Sequence, residues 1–244
     1  MICWGKSDIG KNRKMNQDAF LILHNENSSL AIVCDGMGGA KAGEVASNLA
    51  CQTMREYFTS HPIEPSTSLE PWLRDAVVHA NQAVYAQSLS KTMYHGMGTT
   101  LVGVLHAQNK VVCVNVGDSR IYGKAGEIFE QLTEDHSLVF ELMTRGLINQ
   151  QQSKIHPQRH VLTNALGIGE DVRIDINTLE TEYERILISS DGLHSMLEDQ
   201  EIQKILDRSD SLESVGEALI SAANEAGGND NITVVVIDPQ GGAQ

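Results

Sequence analysis

The sequence predicts an α+β protein built from two antiparallel β-sheets packed together and flanked by helices. Apolar runs of strand length occur near both ends and in the middle of the chain. Between them stand long segments whose apolar residues recur at helical spacing. Their order is not the regular strand–helix alternation of a doubly wound parallel sheet.

In chain order, Phe20–Leu23 and Leu30–Cys34 read as two strands joined by the Asn- and Ser-rich loop His24–Ser29. Leu30–Cys34 is apolar throughout, as in a strand covered on both faces. Helices are predicted over Gly43–Thr59, on the spacing of Val45, Leu49, Met54 and Phe58, and over Ser68–Leu89, on that of Leu69, Leu73, Ala76, Val77 and Ala80. His61–Pro71, with three prolines, joins them. The period then drops to two. Thr99–Leu105, Lys110–Val116, Ile121–Tyr122 and Ile128–Phe129 read as strands punctuated by Gly117, Gly123 and Gly126. Residues 138–166 are mixed: a short helix, the polar run Asn149–Lys154, then His156-Pro157-Gln158-Arg159. Strands at Ile174–Glu182 and Arg185–Ile188, helices at Asp199–Leu206 and Leu212–Ala226, and a strand at Ile232–Ile237 complete the chain. The segment before Gly5 is too short to be read as a strand. Nothing resembles a linker, so residues 1–240 are expected to form one domain.

The 244 residues carry a net charge of −14, which argues against a nucleic-acid partner. No run of 18 apolar residues is present and the N-terminus lacks a signal-peptide pattern, so no membrane span and a cytoplasmic location are expected. Cys3, Cys34, Cys51 and Cys113 are dispersed and read as buried free thiols.

The acidity is mostly a solvated surface, but a few aspartates depart from that pattern. Asp35, Asp118 and Asp191 each follow an apolar run, and Asp230 precedes one. Three of the four touch glycine. Taken singly, Asp-Gly is a turn signal. Four at strand ends, with few basic residues adjacent, read instead as a carboxylate cluster. Such carboxylates lose hydration and need a partner. Oxygen-only ligands select hard ions: magnesium, manganese or calcium. Competing motifs fail. Gly5–Asn12 lacks the final Ser or Thr of a P-loop, and Gly36-x-Gly38 lacks the third glycine of a dinucleotide fingerprint. His156 and His160 flank a proline and read as surface or structural residues.

Seven segments, in order, carry a resemblance. They are Ser7-Asp8-x-Gly10-x-x-Arg13-x-x-Asn16-Gln17-Asp18, Asp35-Gly36-Met37-Gly38-Gly39, Gly98-Thr99-Thr100, Gly117-Asp118-Ser119-Arg120, Leu132-Thr133-x-Asp135-His136-Ser137, Ser190-Asp191-Gly192 and Asp230-Asn231-Ile232-Thr233. Together they resemble a compact bacterial member of the type 2C, metal-dependent protein Ser/Thr phosphatases. The resemblance implies a four-layer αββα sandwich, two antiparallel sheets with helix pairs outside. It implies hydrolysis of phosphoserine and phosphothreonine by a metal-bridging hydroxide, with two manganese or magnesium ions and a third, weaker one. Asp35 would bridge two ions, the Gly36 carbonyl would bind one of them, and Asp191 and Asp230 the other. Asp118, with Asp191, would serve the third. Arg13 would hold the substrate phosphate, and Asp18 would orient metal-bound water. The implied partners are phosphorylated proteins, the substrates of a bacterial Ser/Thr kinase, and the implied state is a monomer. Residues 138–166 correspond to a variable flap where substrate selection is expected.

The chain departs from the family pattern at three places. Met37 and Ala40 stand where relatives carry histidines, which removes a general acid from that loop. His136, His160 or metal-bound water would have to replace it. Gln17 stands where many relatives have Glu, so the resemblance implies slightly weaker binding of the second ion. A small-phosphoester phosphatase and a non-catalytic metal- or phosphoprotein-binding module are the alternatives at this level.

Overall fold

The computed structural model describes residues 1–38 and 42–241. Its strands are β1 (Ile2–Asp8), β2 (Asp18–His24), β3 (Ser28–Met37), β4 (Gly98–Thr99), β5 (Leu101–Ala107), β6 (Lys110–Val116), β7 (Arg120–Ala125), β8 (Ile128–Gln131), β9 (Asp175–Thr178), β10 (Arg185–Ser189) and β11 (Ile232–Asp238). Its helices are α1 (Ala42–Ser60), α2 (Leu69–Ser90), α3 (Leu138–Thr144), α4 (Gln150–Lys154), α5 (Asp191–His194), α6 (Asp199–Leu206) and α7 (Leu212–Glu225).

One sheet has the order β1-β11-β10-β7-β8; the other has β2-β3-β5-β6-β9, with β4 on β3. The pairings within both are antiparallel. Three apolar clusters fill the spaces between layers. Ala31, Val33, Val102, Val104, Ile188 and Val235 are sealed between the sheets. Leu30, Ile32, Leu101 and Leu105 point the other way, onto Met54 of α1 and Leu73 and Val77 of α2. Leu187, Val234 and Val236 meet Ile202 of α6 and Val215 and Leu219 of α7. Side chains alternate across a strand, so Ala31 and Val33 serve one core while Leu30 and Ile32 serve the next. The result is the four-layer αββα sandwich.

α2 is helical because Leu69, Leu73, Ala76, Val77, Ala80 and Val84 recur on one buried face. Burial of each large aliphatic side chain contributes roughly 1.5–3 kcal/mol. α7 starts where Ser211 accepts a hydrogen bond from the Ser214 N–H at 3.2 Å. Ser211→Ala removes that cap and is expected to cost about 1 kcal/mol in urea unfolding. Activity should be unaffected, because α7 packs on the outer face of its sheet.

The core strands and long helices match expectation, with ends shifted by a few residues. Four features differ. β1 is a seven-residue strand after all. It is an edge strand, specified by its pairing with β11 rather than by a local apolar run. The strand expected over Ile174–Glu182 shrinks to β9, an edge strand paired only to β6. Asn149–Lys154 is capped into α4: the Asn149 and Gln152 side chains each bond the other's backbone N–H. α5, four residues long, is too short to show a period. Cys34, Cys51 and Cys113 are buried free thiols as expected, whereas Cys3 is only half-buried. Among the described residues, no helix is long and apolar enough to cross a membrane.

Candidate metal centre

The sandwich brings the four aspartates together. Asp35 ends the buried part of β3, and Asp118 occupies the turn between β6 and β7. Asp191 opens α5 directly after β10, and Asp230 lies just before β11. All four, with Arg13 and Gly36, line one cavity of about 490 Å³. Asp18 does not. It is buried beneath the floor, opposite Asp35 in the β2–β3 register, and accepts hydrogen bonds from Ser190 Oγ at 2.7 Å and Thr233 Oγ1 at 2.6 Å.

Local bonding fixes the backbone at each position. The Asp35 N–H donates to Thr100 Oγ1 at 2.9 Å, and the Asp35 carbonyl accepts from Thr99 Oγ1 and the Thr100 N–H, each at 2.9 Å. Thr100 Oγ1 also pairs with Ser119 Oγ at 2.8 Å, which ties the Asp118 turn to Asp35. That turn passes through Gly117 at φ +110, a backbone conformation costly for any side chain. Gly36 and Gly192 are required by contact instead. A Cβ at Gly36 would stand 2.1 Å from the Gly43 carbonyl oxygen, and one at Gly192 2.0 Å from that of Asn231. Glycine beside these aspartates therefore also serves the close approach of other backbone.

The electrostatics are strained. Burial, then the charges of Asp18, Asp191, Asp118 and Asp230, hold the Asp35 carboxyl well above the carboxylate range. Burial followed by Asp191 and Asp135 does the same to Asp118. Asp191 is raised by burial and Asp230, against a hydrogen bond with Asp35 that lowers it. Burial pushes Asp18 up to about 7 in spite of its two hydroxyl donors. Asp18 Oδ1 and Asp191 Oδ1 are buried without hydrogen-bond partners among the described residues. Orphaned oxygens and mutually repelling carboxylates fit a divalent ion, whose positive charge would oppose these upward shifts. Among the described residues, no three His, Cys, Asp or Glu side chains already stand as a finished ion cage. Asp230 accepts from Arg13 Nη2 at 2.6 Å, a pairing that an ion at Asp230 would have to displace. The Arg13–Asp230 pair is half exposed and weakly held.

Residues that the sequence segments contain without any role assigned to them also hold the site together. Asn231 is buried; its Oδ1 accepts from the Gln17 N–H at 2.8 Å, and its Nδ2 donates to the carbonyls of Ile9 at 2.9 Å and Met15 at 3.0 Å. It thereby staples the β1–β2 loop, which carries Arg13, beside Asp230. Ser190 and Thr233 clamp Asp18. His160, read from sequence as surface or structural, is exposed but lines the same cavity, as does Arg159. His156 stays outside it, its Nδ1 accepting from the Gln158 N–H. Of the loop departures, Met37 lines the cavity, while Ala40 lies outside the described residues.

Fold and site together define an αββα sandwich protein with a carboxylate-lined cavity and an arginine beside it. The protein phosphatase 2C family profile matches residues 5–234. The serine/threonine phosphatase stp of Listeria monocytogenes is 36% identical over 236 residues, 96% of this chain and 94% of that protein. Protein phosphatase PhpP of Streptococcus pneumoniae is 34% identical over 235 residues, 95% and 94%. The crystal structure of serine/threonine phosphatase Stp1 from Staphylococcus aureus superposes with a TM-score of 0.89 at 35% identity, covering 96% of this chain and 93% of that one. That of PstP/Ppp from Mycobacterium tuberculosis does so with 0.87 at 34%, covering 97% of each. The chain belongs to the protein phosphatase 2C family. It is a phosphoprotein phosphatase, of a family that depends on divalent metal ions.

Proposed function

We propose that this phosphatase acts on phosphoserine and phosphothreonine in proteins, using two manganese or magnesium ions, with a weaker third. The observation that carries the reading is the convergence of Asp35, Asp118, Asp191 and Asp230 on the cavity that Arg13 overlooks. Four carboxylates alone would repel a phosphomonoester dianion. The site therefore makes chemical sense only with cations between the carboxylates and the substrate. Divalent ions there would neutralise the phosphate and lower the pKa of water toward neutrality.

In this reading Asp35, the Gly36 carbonyl, Asp191 and Asp230 would hold the two main ions, and Asp118 with Asp191 would hold the weaker third. Arg13 would leave Asp230 to grip two phosphate oxygens through its planar fork, a geometry Lys lacks. Asp18, fixed by Ser190 and Thr233, orients water from below. Attack on phosphorus is in line with the departing Ser or Thr oxygen. Residues 1–240 act as one catalytic domain, working as a cytoplasmic monomer on the substrates of a bacterial Ser/Thr kinase. The flap at 138–166 selects among them. Its ends are pinned by the Leu138 N–H to Val161 carbonyl and Thr163 N–H to His136 carbonyl bonds, each 2.9 Å, which leaves α3 and α4 to vary.

The test is a panel of phosphoserine and phosphothreonine peptides assayed for released phosphate. Turnover is expected with manganese and should vanish in excess chelator. Undiminished turnover in chelator would remove the ions from the mechanism. Turnover confined to small phosphoesters would remove the protein substrate.

A further inference from the structure

Ser and Thr alkoxides are poor leaving groups, so the departing oxygen needs a proton as the P–O bond breaks. Resting on the phosphatase reading above, we propose that His160 in the flap is the general acid that supplies it.

Position is the first argument. The carboxylates form the floor of the cavity, and attack comes from that side. The leaving oxygen lies opposite the nucleophile and remains attached to the substrate protein. It must therefore face the open mouth of the cavity, where the substrate chain has room. His160 is exposed at that mouth and lines the cavity together with Arg13, Asp35, Asp191 and Asp230. It also lines the adjoining hollow between the flap and α5.

Residue chemistry is the second argument. His160 is the one imidazole among the described residues that line the carboxylate cavity, and residues 39–41 contain none. The arginines there, Arg13 and Arg159, keep their protons at any working pH. Histidine both gives and regains a proton near neutrality.

Elimination of the other nearby histidines is the third. His136 is buried. Its Nδ1 accepts from the Gly117 N–H at 3.1 Å and from Asn164 Nδ2 at 2.8 Å, so its Nε2–H donates to Asp175 at 2.9 Å. Both nitrogens are engaged behind the Asp118 turn, and the ring does not reach the cavity. His194 lines only the adjoining hollow, and burial followed by the charge of Arg120 holds it well below the usual histidine range.

The step balances. The attacking water gives up one proton to solvent and adds its oxygen to phosphorus, and the bond from phosphorus to the Ser or Thr oxygen breaks. That oxygen takes the His160 proton and leaves as the alcohol. The neutral imidazole then recovers a proton from solvent, which its exposure permits.

The experiment compares the full-length protein with His160→Ala and His160→Gln, in saturating manganese, on two substrates. One is a phosphothreonine peptide, whose leaving oxygen needs a proton. The other is p-nitrophenyl phosphate, whose phenolate leaves without one. The kcat on the peptide is expected to fall about 10²-fold or more in both variants. On the aryl ester it should hold, which also reports that the variants are folded and loaded. Equal losses on both substrates, or no loss on the peptide, would overturn the assignment. A wild-type protein inactive on both substrates would instead sink the phosphatase reading itself.

Discussion

Asp35→Asn is expected to abolish hydrolysis of a phosphothreonine peptide while leaving the ion-free protein at least as resistant to urea as the wild type. Asp35 sits where the other carboxylates converge, and burial, followed by the charges of four neighbouring aspartates, holds its carboxyl well above the carboxylate range. An amide in its place keeps the shape and the backbone bonds to Thr99 and Thr100 but removes the charge that would bridge two cations. A drop of about 10³-fold or more in kcat/KM corresponds to at least ~4 kcal/mol of lost transition-state stabilisation. The stability half has the opposite sign. A carboxyl whose folded pKa is raised above its unfolded value destabilises the fold as pH rises past that unfolded value. Neutralising it therefore relieves repulsion at neutral pH. Retained turnover, or a variant that unfolds more easily without ions, would contradict the placement of Asp35 at the centre of the charge cluster.

That pairing of outcomes explains why part of the site was legible in the sequence. A carboxylate that ends an apolar strand violates the local rule that buried charges need partners, and such violations concentrate at functional sites. Asp35, Asp118, Asp191 and Asp230 each break the rule within a few residues of sequence, so each could be singled out. Core strands and long helices were legible for a similar reason: their burial patterns repeat over many residues, as in β3, β5 and α2. Edge strands were not. β1 and β9 take their register from a single neighbour, and the chain carries little local sign of it. His160 reads from its sequence context as a surface residue, and it is exposed, but its place at the cavity is not visible there. Only the return of the flap across the sandwich sets it beside residues from β3 and α5.

Asn231 is the sharpest case of a residue whose role is tertiary. In sequence it is one polar residue between Asp230 and an apolar strand. In the fold it bonds three backbone groups of the β1–β2 loop: the carbonyls of Ile9 and Met15 and the N–H of Gln17. Asn231→Ala strands these three at a buried position. An unsatisfied buried group costs about 1–3 kcal/mol, and the loop can turn partly to water, so about 3 kcal/mol of stability is expected to be lost. The second consequence is catalytic. With its staple gone, the loop no longer holds Arg13 over the cavity, so KM for a phosphopeptide should rise more than kcat falls. Asn231→Asp separates geometry from mere volume. Its carboxylate could still accept from Gln17, but it would face the two carbonyls that the amide now bonds and would add a charge beside Asp230. It should therefore be destabilised at least as much as the alanine variant, as urea unfolding would show. If Asn231→Asp instead matched the wild type in both stability and KM, the amide would not be what fastens the arginine loop to the acidic floor.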